Sequence, residues 1–313
     1  MEPLVSILIP TCNRHQLVVK AIKSALAQTY KNIEIVITDN SHGDETKAVI
    51  AEIDEDRIVY VKNIDNIGPI LNWRKALSIA EGRYCILLPD DDFLINPFYI
   101  EDAVGIALGF DVKLVVTDCI LGYPGKKQIG ASNHSGMIDG KDFIKDFMDG
   151  LFIPTIANLF ERTAALESNA FYSNDILYSD IELWMKLMSI GNVYCYNIPS
   201  VFYLFHTNNI VMNMDESQII TSSRYLRSSV ESFADENLVN DLVRRYVLFI
   251  SSLYDSISYN VIKRVFQENK VNNSGISLFL KLKFARLRFL VKVSITHYLS
   301  MLPTFCYGKD LRK

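Results

Sequence analysis

Three consecutive aspartates, Asp90, Asp91 and Asp92, have the residue type and spacing best suited to chemistry in this sequence. They follow the apolar run CILL at residues 85–88 and Pro89, and so short a run, ended by proline, predicts a buried strand. Three like charges repel one another, so water, cations or hydrogen-bond donors must compensate them. A divalent metal is the simplest compensation, because carboxylate oxygens are hard ligands. The alternative is a solvated acidic turn or a helix start with an acidic first turn.

The elements that position these aspartates follow from hydrophobic periodicity. Apolar runs at residues 5–9, 33–38, 58–61 and 84–88 predict four strands, and the amphipathic stretches between them predict single helices. This alternation predicts an α/β fold with a parallel sheet and right-handed crossovers. The loops after parallel strands share one sheet edge, so Thr11, Asp39 and the aspartate triplet are expected to lie together. Residues 122–140 lack apolar periodicity and predict a loop or hairpin.

Composition and motifs exclude several classes of protein. The chain has 313 residues, 49% hydrophobic and 22% charged, which predicts a globular main domain with an appended part. No G-x-G-x-x-G follows the first strand and no P-loop is present, which argues against a dinucleotide oxidoreductase or an NTPase. Five scattered cysteines indicate a reducing compartment, so a cytoplasmic location is expected. We expect no signal peptide and no transmembrane helix, because no basic leader or 18-residue apolar window occurs.

Residues 276–313 form a basic tail. They hold eight Lys or Arg and one Asp, a net charge of +7, and because the whole chain carries -4, residues 1–275 carry -11. Basic residues interleaved with bulky apolar ones predict peripheral contact with the cytoplasmic face of the inner membrane. The alternative is a helix docked on the main domain or on another subunit. Nucleic-acid binding is not expected, given the apolar interleaving and the acidic remainder.

Four motifs, in order, carry a family resemblance: SILIPTCNR, SALAQTYKNIEIVITDNS, NIG and GRYCILLPDDD. Together they resemble the family 2 glycosyltransferases of the GT-A fold, over roughly residues 4–210. The resemblance implies a nucleotide-diphospho-sugar transferase fold, with a Rossmann-like, mostly parallel sheet flanked by helices and a helical C-terminal extension. It implies a catalytic domain at residues 1–212, divided into a nucleotide-sugar part (1–96) and an acceptor part (97–212), followed by a helical region at 213–313.

The resemblance also assigns donor and metal sites. In the family, the loop after the first strand and the aspartate after the second hold the nucleotide base, and the D-x-D motif holds the ribose and a metal. The implied donor-binding residues are Pro10, Thr11, Asn13, Asp39, Asn66, Gly68, Arg74, Asp90 and Asp91, and the implied Mn²⁺ or Mg²⁺ ligands are Asp92 and His206.

Some of these assignments leave alternatives open. Three aspartates in a row leave the D-x-D pair open by one residue, and the variant sequence DNSHGD leaves UDP, dTDP and GDP open. Arg74 is alternatively a solvated helix residue. His206 is alternatively a diphosphate contact or a structural histidine among aromatics.

The segment YSDIELW begins a helix and implies the catalytic base. The residue matching the family's base is Asp180, with Ser179 replacing the usual first acid and Glu182 as the fallback. From spacing alone, Asp180 is an N-cap.

The resemblance therefore implies an inverting, metal-dependent hexosyltransferase that moves a sugar from a nucleotide-diphosphate sugar to a saccharide or lipid-linked hydroxyl. The expected process is bacterial surface polysaccharide biosynthesis, such as O-antigen or capsule. The alternatives are a sugar nucleotidyltransferase and a catalytically inactive nucleotide-binding module.

Overall fold

The computed structural model of the chain describes residues 2–123, 125–132, 134–148, 156–171, 179–204, 215–231, 236–237, 239–240, 243–244 and 259–270. His206 and the basic tail at residues 276–313 lie outside these ranges.

Ten strands form one sheet within the described residues. The strands are β1 Val5–Thr11, β2 Ile33–Asp39, β3 Ile58–Lys62, β4 Tyr84–Leu87, β5 Phe93–Leu94, β6 Leu114–Tyr123, β7 Lys126–Gly130, β8 Gly136–Ile138, β9 Leu159–Glu161 and β10 Val193–Leu204. The α-helices are α1 His15–Leu26, α2 Glu45–Ala51, α3 Pro69–Ile79, α4 Tyr99–Phe110, α5 Gly140–Met148, α6 Arg162–Glu167, α7 Ser179–Ile190, α8 Glu216–Val230 and α9 Tyr259–Glu268.

The sheet is mixed but mostly parallel. Its strand order is β3-β2-β1-β4-β9-β6-β10-β5, with β7 beside β6 and β8 beside β10. Strands β1 to β4 pair in parallel, as do β6 and β10. Strand β9 runs antiparallel to both β4 and β6, and β5 runs antiparallel to β10. The predicted α/β architecture, with a mostly parallel sheet flanked by helices, is confirmed.

Strand β1 lies at the centre of the core. All seven of its residues are buried, as expected for a strand covered on both faces. Helix α1 packs an apolar face on the sheet, and its buried residues are Val18, Ala21, Ile22 and Ala25. Their spacing of three and four residues produces this face.

Helix α3 begins at a local signal that the sequence carries. Gly68 has φ +82°, a left-handed conformation that favours glycine, and Pro69 occupies the first helical turn. The pair turns the chain sharply after β3 and directs α3 back along β1 and β2, which it contacts.

Strand β6 is longer than the apolar run at residues 114–117 indicates, because it continues to Tyr123. The polar residue at the end of the run, Asp118, stays in the strand because its Oδ1 accepts a hydrogen bond from the Ser132 N–H at 3.0 Å. Strand β7 then pairs antiparallel with β6, so the predicted loop or hairpin contains a hairpin.

The chain divides into two compact units, residues 1–239 and 240–313. The first unit holds the whole sheet and helices α1 to α8, and α9 belongs to the second. The boundary expected from sequence, between residues 212 and 213, stays a prediction. In the described ranges, no helix is both long and apolar enough to cross a membrane.

A polar contact holds the turn before β4. The Gly82 N–H donates to Ser6 Oγ at 2.8 Å and to Glu34 Oε1 at 3.2 Å, and the Ser6 hydroxyl donates to the same Glu34 oxygen. A Cβ built on Gly82 would lie 2.7 Å from the Ser6 backbone N. Only glycine fits this approach of two backbones.

We expect Gly82→Ala to lower the free energy of unfolding by about 1–3 kcal/mol, because either the backbone or the Ser6 contact must shift. The measurement is the urea midpoint. Gly105→Ala is the matched control, since it is inside α4 and no atom outside its own stretch of helix backbone lies within 4 Å of its built Cβ. We expect that variant to gain about 0.5–1 kcal/mol through helix propensity. Equal effects from the two substitutions would contradict the contact argument.

Candidate active site

The carboxyl ends of β1, β2 and β4 meet at one edge of the sheet. The register places Thr11 beside Asp39, and Leu8 beside Leu87 just before the aspartate triplet. Thr11 Oγ1 donates a hydrogen bond to Asp90 Oδ2 at 2.7 Å, joining residues 79 positions apart. The structure therefore brings together the loop residues that the sequence places at one edge.

Arg14 bridges the first two aspartates. Its Nη1 lies 3.0 Å from Asp90 Oδ1 and 2.7 Å from Asp91 Oδ2, and both carboxylates are nearly buried. Burial raises the pKa of Asp90 to about 6, while hydrogen bonds from Thr11 and Arg14 act in the opposite direction. One guanidinium thus offsets two of the three like charges.

Asp92 is the third aspartate and is only 1% exposed. Its Oδ1 accepts a hydrogen bond from the Leu204 N–H at 2.8 Å, which ties the end of β10 to the end of β4. Its Oδ2 is buried and has no hydrogen-bond partner among the described residues. Burial, and then the neighbouring Asp91, raise the pKa of Asp92 well above its ordinary value.

The unpartnered oxygen of Asp92 suits a cation. A buried carboxylate oxygen that accepts no hydrogen bond costs folding free energy. A divalent ion that prefers hard oxygen ligands can satisfy that oxygen. No group of three His, Cys, Asp or Glu side chains gathers at metal-binding distance within the described ranges. The donor set nevertheless fits Mg²⁺ or Mn²⁺, because Mg²⁺ commonly takes one or two protein carboxylates and completes its shell with water and phosphate oxygens.

Asp39 lies at the end of β2 and is completely buried. Its Oδ1 accepts a hydrogen bond from the Ser41 N–H and its Oδ2 one from the Tyr60 hydroxyl, both at 2.8 Å. Ser41 Oγ in turn accepts a hydrogen bond from the Asn13 N–H at 2.7 Å, and Asn13 Oδ1 accepts one from the His42 N–H at 3.3 Å. These contacts hold the loops after β1 and β2 against each other.

A buried asparagine cluster, Asn40, Asn63 and Asn72, lies beneath these loops, and sequence reasoning missed it. Asn63 Nδ2 donates to Asn40 Oδ1 at 2.6 Å and to Asn72 Oδ1 at 2.8 Å. Lys75 Nζ donates to Asn63 Oδ1 at 2.6 Å, and Asn40 Nδ2 donates to the Gly68 carbonyl at 3.1 Å. The cluster fixes the loops after β2 and β3 to α3.

Three of the expected donor residues have mainly structural contacts. Pro10 is buried within β1 opposite Thr38. Asn66 is exposed, and its Oδ1 accepts a hydrogen bond from the Gly68 N–H at 2.9 Å. Gly68 makes the positive-φ turn into α3. Their donor roles stay predictions.

Arg74 is partly buried and engaged with a carbonyl. Its Nε donates to the Phe171 O at 2.7 Å, and Nη2 donates to the same oxygen. Phe171 is completely buried, has φ +56°, and packs edge-on against Trp73 with ring centroids 5.7 Å apart. Arg74 thus links α3 to the turn after α6, and its donor contact stays a prediction.

Asp180 lies in the first turn of α7. Its Oδ1 accepts a hydrogen bond from the Ile181 N–H at 2.8 Å. Trp184 anchors the helix edge-on against Phe160 of β9. Burial first, and then the charges of Asp92 and Asp180, raise the pKa of Tyr203.

Glu182, the fallback base, is engaged elsewhere. Its Oε1 accepts a hydrogen bond from Lys186 Nζ at 2.6 Å, an ion pair one helical turn apart. Lys186 also donates to the Asn169 carbonyl at 3.2 Å. His206, the second expected metal ligand, lies outside the described residues.

Arg14 and Tyr203 were not among the residues expected from sequence. Arg14 belongs to the quoted SILIPTCNR motif. Its position just after the first predicted strand, at the sheet edge expected to hold the aspartate triplet, was a signal that it pairs with those carboxylates. Tyr203 had no such signal, because it reads as one of several aromatic strand residues.

The sequence of this chain matches a known family. Residues 6–165, about half of the chain, match the family described as Glycosyl transferase family 2. Among curated relatives, the Escherichia coli UDP-Glc:alpha-D-GlcNAc-diphosphoundecaprenol beta-1,3-glucosyltransferase WfaP is 42% identical over 234 residues, covering 72% of this chain and 86% of the relative. The Campylobacter jejuni GalNAc(5)-diNAcBac-PP-undecaprenol beta-1,3-glucosyltransferase is 26% identical over 218 residues, covering 69% of each chain.

Solved structures share the fold. The crystal structure of S. aureus TarS 1-349 in complex with UDP-GlcNAc has a TM-score of 0.67 at 12% identity, covering 85% of this chain and 80% of that one. A longer TarS chain, of which this chain covers 44%, has a TM-score of 0.59. The mannosyltransferase PcManGT from Pyrobaculum calidifontis, in complex with GDP-Man and Mn²⁺, has a TM-score of 0.56 at 15% identity, covering 95% of this chain and 83% of that one.

The predicted GT-A fold is thereby confirmed, as is the predicted enzyme class. With its D-D-D turn at the edge of a mostly parallel sheet, the chain belongs to glycosyl transferase family 2 and is a glycosyltransferase.

Proposed function

We propose that this enzyme transfers a hexose, with inversion, from a nucleotide-diphosphate sugar to a hydroxyl of a lipid-linked saccharide during surface polysaccharide biosynthesis. The observation that carries the proposal is the buried Oδ2 of Asp92, which has no hydrogen-bond partner among the described residues. We assign the metal to the carboxylate of Asp92 and the proton of the acceptor hydroxyl to the carboxylate of Asp180.

UDP-glucose is the donor we propose first. The name of WfaP, the relative 42% identical to this chain, specifies UDP-Glc, and TarS was crystallised with UDP-GlcNAc. We assign the nucleotide to the loops after β1 and β2, where Thr11, Asn13 and Asp39 lie in one hydrogen-bonded framework. Asp90, adjoining Thr11, then lies toward the ribose.

Asp92 is the protein ligand we propose for Mg²⁺ or Mn²⁺. When bound, the metal supplies positive charge to the leaving diphosphate. Because Arg14 engages Asp90 and Asp91, Asp92 is the aspartate of the triplet with an oxygen to offer. This supports the pairing of Asp90 with the ribose and Asp92 with the metal over a shift by one residue.

Asp180 is the base we propose for the acceptor hydroxyl. Its carboxylate takes the proton as that oxygen attacks the anomeric carbon, and one base on the attacking side gives a single in-line displacement with inversion. Asp180 is preferred to Glu182 because it matches the family's base and is partly exposed, whereas Glu182 is 6% exposed, with Oε1 paired to Lys186 and Oε2 buried.

The acceptor we propose is an N-acetylhexosamine attached through a diphosphate to a polyprenol. Both curated relatives described above have diphosphoundecaprenol-linked saccharides in their names. With such an acceptor, we expect the enzyme to act at the cytoplasmic face of the membrane.

Metal-dependent donor binding tests the assignment of Asp92. We expect calorimetry to detect UDP binding with Mn²⁺ that weakens at least about tenfold in EDTA and in Asp92→Asn, because the metal then loses its protein carboxylate. The series includes dTDP and GDP to identify the base.

Asp118→Asn is the matched control, since Asp118 is also a buried aspartate that accepts a backbone N–H. Its metal-dependent binding should match the wild-type value. Unchanged metal-dependent binding in Asp92→Asn would contradict the metal assignment.

Substitution of Asp180 separates the chemical step from donor binding. With UDP-glucose and a synthetic GlcNAc-diphospholipid, Asp180→Asn should lower kcat by about 10²–10⁴ while leaving UDP affinity within twofold, because general-base catalysis acts on the chemical step. Asn retains the hydrogen bond from Ile181, so α7 is preserved. Glu182→Gln should retain most of kcat. The reverse pattern would make Glu182 the base.

Substitution of Arg14 tests the bridge between Asp90 and Asp91. Arg14→Met should lower the free energy of unfolding by about 1–3 kcal/mol, because it leaves two nearly buried carboxylates without their shared cation. Arg14→Lys should recover part of the loss, since a point charge replaces a planar fork. Both are measured by urea titration without metal.

Arg57→Met is the comparison for that experiment. Arg57 also contacts a carboxylate at 2.7 Å, but its partner Glu55 is more exposed. The loss there should be smaller. An equal loss would show that the bridging of Asp90 and Asp91 adds no stability.

A further inference from the structure

Four apolar residues form one row across strands β5, β10, β6 and β7. The register pairs Phe93 with Phe202, Phe202 with Ile120, and Ile120 with Ile129. Residues directly opposite one another on neighbouring strands point to the same face of a sheet. This part of the sheet therefore has an apolar row that spans four strands.

The two faces of this part of the sheet differ in coverage. The neighbouring row points the other way, and its residues Leu94, Val201 and Cys119 are 6%, 0% and 1% exposed within the core. In the Phe93 row, the first three residues are partly exposed and Ile129 is 60% exposed. The row thus faces away from the core.

Lysines flank the aromatic pair of this row. The Phe93 and Phe202 rings are stacked, with centroids 4.8 Å apart. Lys20 Nζ lies 3.4 Å from the Phe93 ring centroid, and Lys127 Nζ lies 5.4 Å from that of Phe202. Neither lysine forms an ion pair with a described carboxylate. Cation–π contacts hold both ammonium groups at the surface.

The elements that carry the two lysines have no acidic side chain, although the aspartate triplet directly precedes Phe93. Helix α1 and strand β7 contain no acidic residue, whereas residues 1–275 as a whole carry -11. On α1, Leu17 and Lys23 are exposed on either side of Lys20. We name the resulting surface the basic-apolar face, and its members are Leu17, Lys20, Lys23, Phe93, Ile120, Lys127, Ile129 and Phe202.

The basic-apolar face borders the active site. Phe93 directly follows Asp92. Phe202 lies two residues before Leu204, whose N–H donates to Asp92. Whatever binds this face is therefore held beside the proposed metal carboxylate.

We propose that the basic-apolar face docks on an anionic phospholipid bilayer. Exposed Leu17 and Ile129 enter the headgroup boundary, and the lysines meet the lipid phosphates. Each aromatic ring has one face against its partner ring and the other under an ammonium group, so the rings are not free to stack on a sugar. The proposal deepens the proposed function and rests on it in one respect, since a lipid-linked acceptor gives the docking its use.

The test places a probe on the face in the full-length chain. In Ile129→Trp, we expect the added emission to shift to the blue and to be quenched by brominated phosphatidylglycerol vesicles, and not by brominated phosphatidylcholine vesicles. Ile190→Trp is the matched control, because Ile190 is 57% exposed at the end of α7 and lies three residues before the amino end of β10, away from its carboxyl end. The wild-type emission of Trp73 and Trp184 is subtracted.

A second experiment reverses the charges of the two lysines that flank the aromatic pair. Lys20→Glu with Lys127→Glu should weaken cosedimentation with phosphatidylglycerol vesicles at least tenfold, whereas Lys47→Glu with Lys141→Glu, an equal change of charge at exposed positions, should not. Circular dichroism checks that each variant is folded. Equal quenching of the probes at Ile129 and Ile190 would overturn the proposal. Cosedimentation without quenching of the Ile129 probe would also overturn it, and would assign vesicle binding to another segment, such as the basic tail.

The readouts keep this proposal separate from the proposed function. UDP binding and turnover are measured without vesicles, and quenching is measured without substrate. Loss of UDP binding with intact quenching would count against the transferase assignments alone, and the converse against the docking face alone.

Discussion

Repulsion among three adjacent carboxylates at a nearly buried turn is the constraint on which the site depends. The hydrogen-bond donors and the cation that compensate these charges are distributed unequally among the three aspartates. Arg14 and Thr11 engage Asp90, Arg14 also engages Asp91, and the Leu204 N–H engages one oxygen of Asp92. The remaining oxygen of Asp92 is left without a described donor. A protein selected only for stability would satisfy or replace this group, so its persistence is better explained by a ligand that arrives with positive charge.

The fold supplies the rigidity that such a site needs. Strand β1 is buried along its full length, and its neighbours β2 and β4 deliver their loops to the same edge. The asparagine cluster fixes those loops to α3, and the backbone of β10 reaches across to Asp92. Catalytic groups placed on the ends of well-packed strands keep their geometry more precisely than groups on long loops.

Much of this arrangement could be predicted from sequence, because strands covered on both faces appear as continuous apolar runs and their loops must share an edge. The short antiparallel strands could not. Strand β5 has two residues and β9 has three, too few to show a periodicity of two. Their pairing depends on partners distant in the chain.

Several site residues were hidden for a similar reason. Asn63 and Asn72 look like solvated amides in sequence, and only the meeting of β2, β3 and α3 buries them against each other. Arg14 finds its carboxylates 76 and 77 residues away, a separation that no local pattern records. The three aspartates look alike in sequence. Only the structure shows that the Leu204 N–H binds one oxygen of Asp92 and leaves the other without a described donor.

The contact between Arg74 and Phe171 couples two distant parts of the chain mechanically. A bulky residue held at φ +56° stores conformational strain, of order 1–3 kcal/mol, that its surroundings must restrain. Here the restraint includes a guanidinium 97 residues away in α3, close to the loops that frame the donor site. The position of the turn after α6 therefore depends on where this guanidinium lies, and the residue that the family resemblance assigns to the donor already holds a backbone carbonyl.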